Sequence, residues 1–369
     1  MTGEPLVYVG GYSEPILFGT GQVLQGKGKG LYHFRLDARN GALKRDGLTE
    51  NVRNPSYLAF DPKRRFLYCV NEFKEYEGQA SGAVSAFRID PDSGALTYLN
   101  TKASRGADPC HLIVDATGKF ALIANFASGS VCVLPILPDG SLGDAVEFIQ
   151  HEGSSIDPKR QAGPHAHAVE IDKANRFVFV PDLGLDQIVI YAFDASTGKL
   201  TLNANQPFVA MAPGAGPRQL AFHPGGRLAY LINELNSTMT AYSYDAERGA
   251  LTELQTLPTL PAGFQGHSTC AEVQVAPNGK FLYGSNRGHD SIAIYALSKD
   301  GRMNVVGHES TRGRIPRNFD ISPDGRFLAA ANQDTGDIVM FRIDNESGRL
   351  TATGDVVEAG TPVCVRFMS

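Results

Sequence analysis

The chain has 369 residues, 42% hydrophobic and 20% charged, an ordinary balance for a globular protein with material for a sizeable core. A formal net charge of −5 argues against a nucleic-acid or acidic-membrane partner, because either would call for a basic face. No apolar run approaches the roughly 18 residues of a membrane-spanning helix, and 40 glycines with 21 prolines suit many short strands joined by tight turns.

From the N-terminus, Met1-Thr2-Gly3-Glu4-Pro5 lacks the basic and apolar blocks of a secretory leader and runs directly into the strand-like Leu6-Val7-Tyr8-Val9-Gly10. The next stretch contains the clearest copy of a repeating unit. It begins Asn54-Pro55-Ser56-Tyr57-Leu58-Ala59-Phe60, passes through Phe66-Leu67-Tyr68-Cys69-Val70-Asn71 and Ala83-Val84-Ser85-Ala86-Phe87, and closes on Gly94-Ala95-Leu96. These are four strands rich in β-branched and aromatic residues. The closing Gly-x-Leu signature, or its Met variant, recurs at Gly41, Gly94, Gly140, Gly198, Gly249, Gly301 and Gly348, with gaps of 53, 46, 58, 51, 52 and 47 residues. Seven units of about fifty residues predict an all-β, seven-bladed β-propeller spanning residues 1–369 as one domain. No segment carries a sustained helical period, and with no tryptophan the Trp-Asp repeat of an interaction scaffold is ruled out.

The two ends predict how the ring closes. The first unit starts at what is the second strand elsewhere, whereas Thr361-Pro362-Val363-Cys364-Val365-Arg366-Phe367 follows a complete last unit and matches a first strand. The C-terminal strand therefore completes the N-terminal blade and leaves no open sheet edge.

Propeller geometry then selects candidates for chemistry. The start of each innermost strand and the end of each second strand gather at one mouth of the central channel. The first positions are Ser56, Cys110, His167, Arg218, Ala271, Arg317 and Val363. The second strands end in Asn71, Asn125, Asp182, Asn233, Asn286 and Asn332, followed by Glu72, Phe126, Leu183, Glu234, Arg287 and Gln333. The Asn/Asp ring reads first as turn caps, with Asn233 and Asn286 also counted among substrate-binding candidates. Residues that break the repeat say more, because no blade needs a His, Arg or Glu there to fold. Expanded connections at Tyr12–Gly30, Phe73–Gly82, Glu147–Gly163 and Gln255–Thr269 are expected to open on the same mouth.

Among these, Gly163-Pro164-His165-Ala166-His167 places two histidines on one side of a strand, suited to proton exchange near neutral pH. Arg218, Arg287 and Arg317 form a candidate anion clamp. Glu234 can pair with an arginine, accept a proton from water or bind a hydroxyl. The glycines at 26, 28 and 30 do not match a phosphate loop, there is no Gly-x-Ser-x-Gly elbow, and no third ligand accompanies the histidines for zinc. The five cysteines are unclustered and lie mostly in apolar runs, as reduced, buried thiols of a cytoplasmic protein would.

Gly163-Pro164-His165-Ala166-His167, Gly216-Pro217-Arg218 with Phe222-His223-Pro224, Asn233-Glu234-Leu235-Asn236 and Asn286-Arg287 resemble the seven-bladed lactonase family. That family includes the propeller type of 6-phosphogluconolactonase and the fungal carboxymuconate cyclase. The resemblance covers essentially the whole chain. It implies hydrolysis of a sugar-acid lactone in carbohydrate metabolism, 6-phosphogluconolactone foremost, with a muconate-type lactonase or cyclase as the alternative. A binding platform without catalysis is the non-enzyme reading. It also implies a catalytic cluster of His167, Arg218, Glu234 and Arg287, with His165 as the near neighbour of His167; from their place at the mouth, His165, Arg317, Glu72, Asn233 and Asn286 are expected around the substrate. Water would be activated by His167 or Glu234, without metal or cofactor, and the partner would be a small lactone, with neither nucleic acid nor membrane involved.

Overall fold

In a computed structural model the chain forms seven antiparallel sheets around a central channel. The structure describes residues 4–18 and 21–368, so Met1–Gly3, two residues of the Tyr12–Gly30 connection and Ser369 lie outside it. Six sheets follow the chain in order, each running outward from its innermost strand. Blade 2, for example, is Pro55–Phe60, Phe66–Asn71, Ala83–Ile89 and Leu96–Ala103. The innermost strands of blades 3, 5, 6 and 7 are Pro109–Val114, Pro217–Phe222, Thr269–Val275 and Pro316–Ile321, and that of blade 4 is reduced to Glu170–Ile171. No helix, and so none long and apolar enough to cross a membrane, occurs among the described residues.

The first blade is assembled from both termini. Pro362–Phe367 is its innermost strand and pairs antiparallel with Leu6–Gly11, with Val7 opposite Phe367 and Val9 opposite Val365. Closure therefore joins the two terminal strands that the sequence pairs. Apolar side chains then fill the gaps between blades. Val7, Val9 and Phe34 of blade 1 meet Phe327, Ala329 and Met340 of blade 7 in one buried cluster.

The signature glycine has a physical cause at these same seams. Gly140 and Gly348 have φ of 91° and 72°, and a Cβ on either would overlap the ring of Phe66 or Phe281 in the preceding blade. Beside each, a tyrosine of that preceding blade donates to the glycine carbonyl, Tyr68 to Gly140 at 3.0 Å and Tyr283 to Gly348 at 2.9 Å. Left-handed φ and absent Cβ together leave only glycine.

Two loop boundaries differ from expectation. Glu147–Gln150 is the outer strand of blade 3, and Gln255 lies inside the outer strand of blade 5, Ala250–Pro258. Their β-rich sequences pair along the neighbouring strand, so the connections start later, after Gln150 and Pro258.

Candidate active site

A backbone irregularity aims the candidate side chains into the channel. In blade 2, Pro55 pairs with Asn71 and Tyr57 with Val70, so Ser56 is an extra residue without a partner. The same bulge isolates Cys110, Arg218, Arg317 and, in the C-terminal strand, Val363. A bulge turns two consecutive side chains toward one side of the sheet. Accordingly Ser56, Cys110, Arg218, Arg317 and Val363 line the channel together with the residues after four of them, Tyr57, His111, Gln219 and Asn318. Strict alternation hides this second ring from a sequence reading; the bulge supplies it.

Above them opens a cavity of about 290 Å³, bounded by Glu72, Cys110, His167, Glu234, Arg287 and Arg317 among others. Residues that follow the second strands thus reach the mouth as expected, with Phe126 and Gln333 beside them, whereas Leu183 does not line it. The Tyr12–Gly30 connection contributes Leu17, Phe18 and Gln22, and the 151–163 connection contributes Arg160.

Glu234 organises the cationic side. Its Oε1 accepts from Arg160 Nη2 at 2.6 Å, and its Oε2 from Arg218 Nε at 3.0 Å and Arg287 Nη2 at 2.8 Å. Burial alone would raise its pKa, but Arg287, Arg160, Arg218 and His167 outweigh that and hold the carboxyl well below the usual range. A carboxylate so stabilised is a very weak base. Against the expectation that it takes a proton from water, Glu234 stands here as the anchor of three guanidinium groups. Arg218 is further committed to the Ala271 carbonyl at 2.5 Å and Gln219 Oε1 at 3.2 Å, and it lines only the deeper part of the channel.

Arg317 differs from the other three. Its guanidinium lies over the rings of Tyr12 and Phe18, at 5.8 and 5.4 Å from their centroids, and it has no carboxylate at ion-pair distance among the described residues. His167 Nε2 stands 3.9 Å from Glu234. Burial and then Arg218 push its pKa well below the ordinary histidine value, so it is an uncharged imidazole at neutral pH. Cys110 Sγ lies 3.2 Å from the His167 carbonyl oxygen, to which it donates, and burial pushes its thiol up, so it is no nucleophile.

The opposite side of the mouth is acidic. Glu72 is buried and takes the Tyr12 hydroxyl at 3.1 Å on both oxygens. Asp108, absent from the sequence candidates, lines the same cavity beside it, with Lys74 Nζ at 3.6 Å. It precedes the proline of its innermost strand, a place where only comparison of the units could have singled it out.

Three substrate-binding candidates stand outside the cavity lining. Asn233 and Asn286 do not line the cavity. Asn233 Nδ2 donates to Thr238 Oγ1 at 2.9 Å, and Asn286 Nδ2 to the Thr259 carbonyl at 2.9 Å and Ser291 Oγ at 3.3 Å. They pin the turn after the second strand, as do Asn125 and Asn332. His165 stacks on Phe126 at 4.6 Å and hydrogen-bonds the Phe126 carbonyl through Nδ1 at 2.9 Å, outside the cavity lining; it supports the wall that His167 meets edge-on.

Residues 6–367 match the family model described as "Lactonase, 7-bladed beta-propeller". The chain is 37% identical over 349 residues to the 6-phosphogluconolactonase of Bacillus subtilis, covering 94% of this chain and 97% of that one. It is 34% identical over 333 residues to the 6-phosphogluconolactonase of Formosa agariphila, covering 88% of this chain and 91% of that one. Among solved structures, the periplasmic gluconolactonase of Pseudomonas aeruginosa superposes with a TM-score of 0.90 at 32% identity, over 99% of both chains.

Proposed function

The chain belongs to the seven-bladed β-propeller lactonase family, and from that premise we propose that it hydrolyses 6-phosphogluconolactone to 6-phosphogluconate. The observation that carries the choice of substrate is Arg317. Among the described residues it has no carboxylate at ion-pair distance, while Glu234 pairs with its neighbours, and it faces a cavity near the lower size limit for small-molecule sites, about 300 Å³. A phosphate ester is the anion best served by such an open guanidinium.

In this reading Arg317 holds the phosphate and orients the sugar ring. The lactone carbonyl then meets Arg287 and His167. Arg287, fixed by Glu234 and by the Cys270 carbonyl at 2.6 Å, stabilises negative charge as it develops on the carbonyl oxygen. A positioned donor of this kind contributes roughly 3 to 4 kcal/mol. His167, uncharged, hydrogen-bonds the reacting groups without adding a competing cation. A cytoplasmic setting belongs to the same proposal and is supported by five buried cysteines, none paired in a disulfide.

The test is a panel of phosphorylated aldonolactones, plain aldonolactones and muconolactone, with spontaneous hydrolysis subtracted. Preference in kcat/KM for the phosphorylated sugar lactone supports the proposal. Preference for muconolactone moves Arg317 to a carboxylate, and no acceleration of any lactone overturns it.

A further inference from the structure

Arginine surrounds the cationic half of the mouth, and a group that accepts a proton there would gain charge beside like charge. The acidic half has the opposite property. We propose that Asp108 is the general base of this enzyme, removing a proton from the water that attacks the lactone carbonyl. The inference rests on the lactonase reading above.

Comparison between blades carries it. Asn54, Asp108, Gly216 and Ile315 each precede the proline of an innermost strand, with left-handed φ of 39°, 50°, 64° and 57°. The fold thus asks for this backbone conformation in four blades and is satisfied by Gly or Ile. In blade 2 the side chain has structural work: Asn54 Oδ1 caps the amides of Ser13 and Glu14, both at 2.9 Å, and Nδ2 donates to the Glu72 carbonyl. The Asp108 backbone ties its own turn, its N–H donating to the Phe73 carbonyl and its carbonyl accepting from Phe126 N–H, while its carboxylate has Lys74 Nζ at 3.6 Å. Its carboxylate caps no backbone amide among the described residues and lines the cavity instead. A residue unnecessary to the turn, charged, nearly buried and aimed at the site is a candidate for chemistry.

The other carboxylates lining the cavity are held differently. Glu234 is locked among three arginines, Glu72 shares its two oxygens with the Tyr12 hydroxyl, and exposed Asp334 accepts from Gln333 Nε2 at 2.9 Å. The charged and titratable groups acting on Asp108 are Glu72 and Lys74 from blade 2, with Cys110 on its own strand; Arg160, His167, Glu234, His267, Arg287, Arg317 and Asp334 line the same cavity. Burial first and Glu72 second push its carboxyl up to about 7, against Lys74, which matches a base working near neutral pH.

The step balances without another reactant. The Asp108 carboxylate takes one proton of water while the water oxygen bonds to the carbonyl carbon and the C=O electron pair moves onto oxygen. As that pair returns, the bond from carbon to ring oxygen breaks, and the proton on Asp108 passes to the departing ring oxygen. The product is the open hydroxy acid, and the carboxylate of Asp108 is regenerated.

The experiment uses the full chain with 6-phosphogluconolactone as probe. Asp108→Asn should lower kcat by about 10²- to 10⁴-fold with little change in KM, and should abolish the acidic limb of the pH–rate profile expected near pH 7. Lys74→Met removes the cation that opposes proton binding, so it should move that limb to higher pH. A folded Asp108→Asn protein with wild-type kcat and limb overturns the inference; should that variant fail to fold, an unmoved limb in Lys74→Met does so. A wild type inactive on 6-phosphogluconolactone overturns the choice of substrate above, whereas an active wild type indifferent to both changes overturns only the role of Asp108.

Discussion

Glu234 and Arg317 show how neighbours decide what a side chain can do. Both stand at positions where the repeat is broken, and from sequence either could bind substrate. The structure divides them by their partners: Glu234 has three guanidinium groups, and Arg317 faces two aromatic rings and open space. Arg317→Ala should therefore raise KM for a phosphorylated lactone by about 10- to 100-fold, the value of a charge-assisted hydrogen bond. It should act far less on an uncharged lactone, and steady-state kinetics on the two substrates checks this. Glu234→Gln should behave otherwise, because it leaves buried Arg218 and part-buried Arg160 and Arg287 around a neutral amide. A loss of about 3 to 5 kcal/mol in urea unfolding is expected, as when one partner of a buried ion pair is removed. The acidic limb of its pH–rate profile should survive. If that limb disappears with Glu234→Gln, Glu234 is the base after all.

The strand that closes the ring and the bulge that arms it are properties of elements. Pro362–Phe367 has no partner in its own part of the chain, and it finds Leu6–Gly11 at the other end. Phe367 and Val365 also belong to the buried cluster that joins blade 7 to blade 1. Deleting residues 361–369 should leave Leu6–Gly11 as an unprotected inner edge and abolish the cooperative thermal transition, or lower its midpoint sharply. Unchanged melting would mean that the ring does not depend on its terminal strand. This closure was legible in sequence because it needs only a count of strands at each end. The bulges were not, since one extra residue in a six-residue strand leaves composition and spacing almost unaltered. Yet it is the bulge that turns both Arg218 and Gln219, or both Arg317 and Asn318, into the channel.

Viewed whole, the channel stays polar through its depth. Below the mouth, Gln219 Nε2 donates to the Tyr57 hydroxyl at 2.9 Å, Arg366 also reaches Tyr57, and Asn318 Nδ2 donates to buried Glu272. Burial raises the Glu272 carboxyl to about 7, with Arg366 and Arg218 opposing and Asp320 adding to the rise. The folded chain thus binds this proton more tightly than the unfolded chain does. Stability from this source is complete below the unfolded value, near 4.5, and is lost as pH rises through about 7. Its full extent is about 3 kcal/mol for a shift of that size. Glu272→Gln should flatten the decline in stability between pH 5 and about 8, measured by urea unfolding across that range. A slope identical to wild type would place the proton elsewhere.

The seven units, their order, the shared mouth and the family pattern around Glu234 were all determined by the amino-acid sequence. Each depends on local signals that survive in one dimension: strand alternation, a glycine that the blade seam demands, and a spacing near fifty residues. Which side chains meet was decided only in three dimensions. Arg160 and Arg287 are 127 positions apart yet share one carboxylate. Asn233 and Asn286, next to site residues in sequence, turn away to pin their own loops. Asp108 remained hidden because its neighbour Glu72 comes from another blade, and burial next to that charge is what gives it a working pKa. The physical reason is common to all three. Strand formation is set by neighbours along the chain, whereas the charge state of a buried group is set by neighbours in space.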